Sequence, residues 1–264
     1  MGATGSGKTT FINLVSGSGL KTSNSLRSCT ETVAATDPFL VDGRKVVLVD
    51  TPGFDDTTKS DSDILKLIAG FLSASYQGGH KLTGLLFIHR ISDFRMGGIS
   101  LKNFRTFRSL CGEQTLRNVI IVTNMWGEVT PQLGEERERE LAIQDDFFKP
   151  ALDKGAKMMR HHNNLDSAHE IIRHLLRNNP MALKIQREIV EEHRDVSQTA
   201  AAEEIERELR AQMERQRIEA ERVKREIEGV SLFSVSSIRT EDACRSSTCA
   251  RRGTAQAARR RSSA

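Results

Sequence analysis

Short apolar runs alternate with amphipathic stretches from residue 1 to about 178. Val46–Val49, Leu85–Ile88, Val119–Val122 and Lys157–Met159 read as buried strands. Between them, Asp61–Ser75, Leu101–Leu110, Glu136–Phe148 and Ser167–Leu176 repeat their apolar positions at helical spacing. Strands alternating with helices predict an α/β fold with a largely parallel sheet. Asp42-Gly43, between Phe39–Val41 and Lys45–Val49, is a hairpin signal, so one edge pair is expected to be antiparallel.

The pattern changes after residue 178, and residues 179–228 read as a long helix. From Glu203 to Glu228, sixteen of 26 residues are charged and none is Gly or Pro. Ala202, Ile205, Leu209, Met213, Ala220, Val223 and Ile227 form a narrow apolar stripe with a phase break near Met213. Such a stripe serves a coiled coil or a solvated helix packing partly on the domain; Gln212 and Gln216 interrupt the seam. Residues 229–264 hold eight Ser and seven Arg with little periodicity, which predicts a disordered tail. Its Arg259-Arg260-Arg261 run offers contact with nucleic acid or acidic membrane, although such runs are more often simply solvated.

Composition narrows the class. The chain has 264 residues, enough for one domain plus extra or two small ones. Aromatics are 5%, which predicts a mostly aliphatic core. No apolar run approaches the roughly 18 residues of a membrane span, and no charged-then-apolar leader opens the chain, so spanning and secreted proteins are not expected. Cys29, Cys111, Cys244 and Cys249 lack metal-type spacing and read as reduced thiols of the cytosol or nucleus, the cytoplasm being the expectation. The net charge of +4 is carried by the tail: its seven Arg and two acids give +5, leaving −1 for the rest.

Gly2-Ala3-Thr4-Gly5-Ser6-Gly7-Lys8-Thr9 fits the phosphate-loop pattern G-x-x-x-x-G-K-[S/T]. Its glycines let successive N–H groups curl around an anion, and the following helix adds its positive end. On this pattern Gly2, Thr4, Gly5, Ser6, Gly7, Lys8, Thr9 and Thr10 are candidate nucleotide-binding residues. Lys8 would reach the β/γ-phosphates and Thr9 would bind Mg²⁺. A second signal lies about 40 residues on, where the apolar Val46–Val49 ends in Asp50-Thr51-Pro52-Gly53. Asp50 there can hold the magnesium shell and the Gly53 N–H can meet a γ-phosphate. Between the two, Thr30, with Thr32 second, is placed to complete the metal shell.

With these motifs in view, the sequence resembles the septin-related GTPases of the AIG type (GIMAP-like), most nearly their fungal relatives. The resemblance also rests on Asp50–Thr57 with Asp63-Ile64-Leu65, on His89–Gly98, and on Cys111-Gly112-Glu113 before Val119–Trp126. It covers about residues 1–178 and implies a Ras-like P-loop G domain binding GDP and GTP with Mg²⁺. Asn124 fits the family's base-recognition motif, and Asn163, after Lys157–Arg160, stands where the family places an asparagine pair near the base.

Three positions depart from the family. Gly127 stands where an aspartate reads guanine, with Glu128 one position on. An unmet guanine edge costs about 1–3 kcal/mol, enough to erase a preference for GTP over ATP. Phe54 occupies the place of a water-orienting glutamine, so intrinsic hydrolysis is expected to be slow. The family implies dimerisation across the nucleotide face, which would let a partner's arginine assist; Arg90 and Arg95 are candidates by position. Finally, Met1 leaves no residues for the strand that precedes the loop in this fold, a gap of roughly 10 Å. The expectation is therefore a fragment or mis-started version of a longer protein.

The leading expectation is a guanine-nucleotide-binding protein with slow Mg²⁺-dependent GTP hydrolysis, assembling as a homo-oligomer through the nucleotide face or residues 181–228. A nucleotide-binding scaffold without turnover is the alternative, favoured by Gly127 and Phe54. A P-loop kinase or ATPase is a third reading, which the Asp50-Thr51-Pro52-Gly53 turn opposes.

Overall fold

The computed structural model describes residues 1–20, 32–56, 59–94 and 97–227. In chain order the elements are α1 (Lys8–Ser16), β1 (Ala34–Ala35), β2 (Phe39–Val41), β3 (Arg44–Val46), β4 (Val49–Asp50), α2 (Asp61–Gln77), β5 (Leu85–Arg90) and α3 (Gly98–Cys111). They continue with β6 (Val119–Asn124), α4 (Pro131–Ile143), α5 (Lys149–Leu152), β7 (Lys157–Arg160), α6 (Leu165–Leu175), α7 (Lys184–Val190) and α8 (200–227).

All six residues of β6 are buried, as befits a strand covered on both faces. It pairs in parallel with β5 on one side and β7 on the other, with Leu85 opposite Val119 and Ile120 opposite Lys157. The period-two alternation then divides the core. Leu85, Phe87, Val119 and Ile121 face a cluster with α2, α3 and α7, whereas Ile88, Ile120 and Val122 face one with α1 and α6. The fold is α/β with a parallel sheet, and the Asp42-Gly43 hairpin joins β2 to β3 antiparallel, as the sequence predicts. Both hairpin residues take positive φ (50° and 77°).

Other expectations change. Val46–Val49 is not one strand: β3 ends at Val46 and β4 begins at Val49, with Val47 half exposed. The partner strands are likewise separated by residues 36–38, where the Thr36 N–H donates to Leu48 O at 2.9 Å and its hydroxyl accepts from Leu48 N at 3.1 Å. The helix expected at Glu136–Phe148 starts at Pro131, where Thr130 caps Leu133 N at 3.4 Å, and ends at Ile143. The core is mostly aliphatic, as composition predicts, around one aromatic knot in which Phe87, Phe104, Phe107 and Phe148 meet with ring centroids 4.6–6.3 Å apart. Nor is 179–228 one helix, because α7 stops at Val190 and helix resumes only at residue 200. The first compact unit runs Met1–Glu208, so residues 179–208 belong to the body rather than to a separate helix. The second starts at Leu209 and is helical to residue 227; the tail expectation for 229–264 lies outside the described residues. Among the described residues no helix is long and apolar enough to cross a membrane.

The gap foreseen before the phosphate loop is partly closed. Met1 donates its amine to Leu86 O at 2.6 Å and accepts from Ile88 N at 2.9 Å, while Ala3 bridges in parallel to Phe54. Three residues thus act as a rudimentary strand between β5 and Phe54. Beyond them lies an apolar cavity of about 140 Å³, bordered by Val47, Ile68, Phe71, Leu86 and Leu175.

Candidate phosphate and base site

The loop's glycines are required by space as much as by conformation. Gly2, Gly5 and Gly7 have φ of 135°, 74° and 91°. A Cβ on Gly2 would stand 2.3 Å from Ile88 O, one on Gly7 2.4 Å from Asn124 Nδ2, and one on Gly53 2.6 Å from Thr4 N. Gly7 is the N-cap of α1, so the loop ends on the helix's unsatisfied N–H groups.

Lys8 is buried and donates to the loop's own carbonyls, Gly2 O at 3.0 Å and Ala3 O at 2.8 Å. Burial pulls its pKa down to about 8, opposed by the carboxylates of Asp50 and Asp55. Thr9 Oγ1 donates to Asp50 Oδ2 at 2.7 Å, bringing a hydroxyl and a buried carboxylate together beside the loop. That pair is a hard oxygen set of the kind Mg²⁺ takes. The buried hydroxyls of Thr4 and Ser6 have no hydrogen-bond partner among the described residues. Orphaned polar atoms in an anion cradle fit an incoming phosphate and its cation.

On the base side a cavity of about 670 Å³ adjoins the loop, bordered by Gly7, Thr10, Asn124–Glu128, Pro131, Glu135 and Arg160–Asn163. Asn124 ties the two halves together: its Nδ2 donates to Ser6 O at 3.0 Å and its Oδ1 accepts from Met125 N at 2.8 Å. Asn163 borders the cavity in a left-handed conformation, φ 55°. His161 is buried, held by Ser167 Oγ at 3.0 Å and set edge-on to Phe11, and burial lowers its pKa to about 4.

Two comparisons bear on this arrangement. A family model described as AIG1 family matches residues 1–133. The chain belongs to the AIG1 family. No curated protein matches it. Among solved structures, a study of dimerisation and GTPase activity in the chloroplast translocon components atToc33 and psToc159 aligns at TM-score 0.55 and 14% identity, over 69% of this chain and 83% of that one. A dimerisation-deficient mutant of Toc33 from Arabidopsis thaliana aligns at 0.50 and 16%, over 62% and 69%. At such identities the likeness establishes the fold: a P-loop G domain of α/β type.

Within this AIG1 chain, the structure brings the loop residues Gly2–Thr9, Asp50 and Gly53 together, and Thr10, Asn124 and Asn163 around the adjoining cavity. Thr30 and Arg95 lie outside the described residues, and Thr32 is exposed. Phe54 is 1% exposed and packs in the core. Arg90 runs past the loop, its Nη1 3.4 Å from where a Gly5 Cβ would stand, and its Nε pairs with Asp93 at 2.8 Å.

Sequence reasoning missed Asp55. Its carboxylate accepts from Thr4 N at 3.1 Å and Asn103 Nδ2 at 3.4 Å, which latches the loop to the segment after Gly53. The acidic pair Asp55-Asp56 following the turn was its only signal. Also missed was the wall built on Trp126: Nε1 donates to Thr123 O at 3.1 Å, and Arg160, paired with Glu138, lies 4.2 Å over the ring. A lone Trp beside a motif was the available hint.

Asn124→Ala would strip Ser6 O and Met125 N of their partner. Losing such buried bonds costs about 1–3 kcal/mol, and each kcal/mol lowers the melting temperature by about 2–4 °C in a chain of this size. Thermal melting of the nucleotide-free variant checks this.

Proposed function

We propose that this AIG1 protein is a guanine-nucleotide-binding protein with slow, Mg²⁺-dependent GTP hydrolysis coupled to self-association. The observation that carries the reading is the joint placement of Lys8 on the loop carbonyls and Thr9 on Asp50, at a helix N-terminus that opens onto a nucleoside-sized cavity. Lys8 would donate to the phosphates, the Gly5–Lys8 amides would bind their oxygens, and Thr9 with Asp50 would hold the magnesium. The ion would neutralise phosphate charge when bound.

Slow turnover follows from Phe54. A side chain packed in the core orients no water, so the segment after Gly53 supplies backbone rather than a polar tip. Arg90, beside Gly5, would stabilise phosphate charge in cis if it left Asp93. Self-association is supported by the dimerisation described for the Toc structures and by exposed Leu209, Met213, Val223 and Ile227 along α8. The buried thiol of Cys111 accords with a cytoplasmic setting. The scaffold reading without turnover shares this site and is favoured by the same buried Phe54.

The test is Mg²⁺-dependent binding of fluorescent GDP, with phosphate release from GTP and light scattering in each nucleotide state. Lys8→Ala should weaken GDP by at least about tenfold, since a hydrogen bond to a charged group contributes about 1.5–3 kcal/mol. Retention of nucleotide by Lys8→Ala would sink the proposal. Binding with phosphate release no faster than that variant's would leave the scaffold.

A further inference from the structure

We propose that this pocket reads its purine weakly and holds guanine and adenine nucleotides within about tenfold of one another, because position 127 presents no acceptor. The inference rests on the nucleotide reading above and deepens it.

Purines differ at their hydrogen-bonding edge. Guanine offers two donors, N1–H and the 2-amino group, where adenine offers the bare acceptor N1 and a C–H. A site discriminates strongly only when a fixed protein group is paired with one base and left unpaired by the other. Around this cavity the buried and half-buried polar side chains are already engaged with the protein. Asn124 donates to Ser6 O and accepts from Met125 N, His161 is held by Ser167, and Arg160 by Glu138. Gly127 borders the cavity, is exposed, and has open space where a side chain would project. Its neighbour Glu128 also borders the cavity, as an exposed carboxylate that would have to give up hydration and rotamer freedom to read a base. Thr10, His162 and Asn163 border the cavity as exposed side chains under the same cost, beside the ring surface of Trp126. Stacking is indifferent to the edge, since every base has a π-face.

The position also makes a clean test. Gly127 is outside the left-handed region and nothing lies within 4 Å of a Cβ built there, so a side chain enters without strain. GDP, IDP and ADP would be titrated with Mg²⁺ into the full chain and into Gly127→Asp, Gly127→Ala, Glu128→Ala and Lys8→Ala, with melting curves to confirm folding. The native chain should bind the three nucleotides within about tenfold, and Gly127→Asp should tighten GDP by about tenfold or more, as a carboxylate pairing two donors would. IDP, which lacks the 2-amino donor, should gain less, ADP should gain nothing, and Gly127→Ala should leave the ratios unchanged. A native preference for GDP over ADP clearly above tenfold overturns the inference. If Glu128→Ala abolishes that preference, Glu128 is the reader. A folded Gly127→Asp with unchanged ratios overturns it as well. Failure of every nucleotide to bind the native chain better than Lys8→Ala overturns the nucleotide reading itself, and this inference with it.

Discussion

Everything at this site depends on how closely the backbone of the phosphate loop is pressed against its surroundings. Gly2 touches the carbonyl of Ile88, Gly7 the amide of Asn124, and Gly53 the backbone of Thr4, each at a separation no side chain would tolerate. Those contacts let one short loop be held by β5, by the end of β6 and by the turn after β4. They also force Lys8 inward, where it satisfies itself on Gly2 O and Ala3 O. A buried ammonium resting on carbonyls, beside orphaned hydroxyls on Thr4 and Ser6, is a site whose polar groups are better satisfied by an anion than by one another.

Most of this was legible in the sequence because it is local. The loop's spacing, the strand ending in Asp50, and β5, β6 and β7 are consecutive patterns, and the helix following Gly7 needs nothing distant to define it. What escaped was what depends on partners far along the chain. Asp55 becomes a latch only because Thr4 N faces it, and Arg160 becomes part of the base wall only because Trp126 and Glu138 meet there. The break between β3 and β4 mirrors the gap between their partners, since β3 pairs with β2 and β4 with β1. Residues 179–208 read as the start of one long helix because they run into the charged, helix-favouring stretch that follows. Leu183, Ile185, Ala201 and Ile205 are nevertheless buried in the body.

The two sides of the site are built on different terms. The phosphate side relies on backbone, helix dipole and charge, which recognise any nucleotide triphosphate or diphosphate. On the cavity side Asn124 and Arg160 are held by the protein and position 127 carries no side chain. Such a division would let a chain keep its phosphate motif intact while its base reading weakens.

The segment beyond α6 is strapped to α2. Gln186 bridges Leu183 N and Leu72 O at 2.9 Å each, and Tyr76 donates to Glu191 at 2.5 Å, so α7 is tied to α2. The buried Glu188 then caps Ala200 N, where α8 begins, at 3.3 Å. With these bonds in place, a rotation of α2 would carry α7 and the root of α8 with it, as one gear turns the next. In mechanical terms these straps make a drive shaft, since a displacement of α2 would be felt at the base of the charged helix.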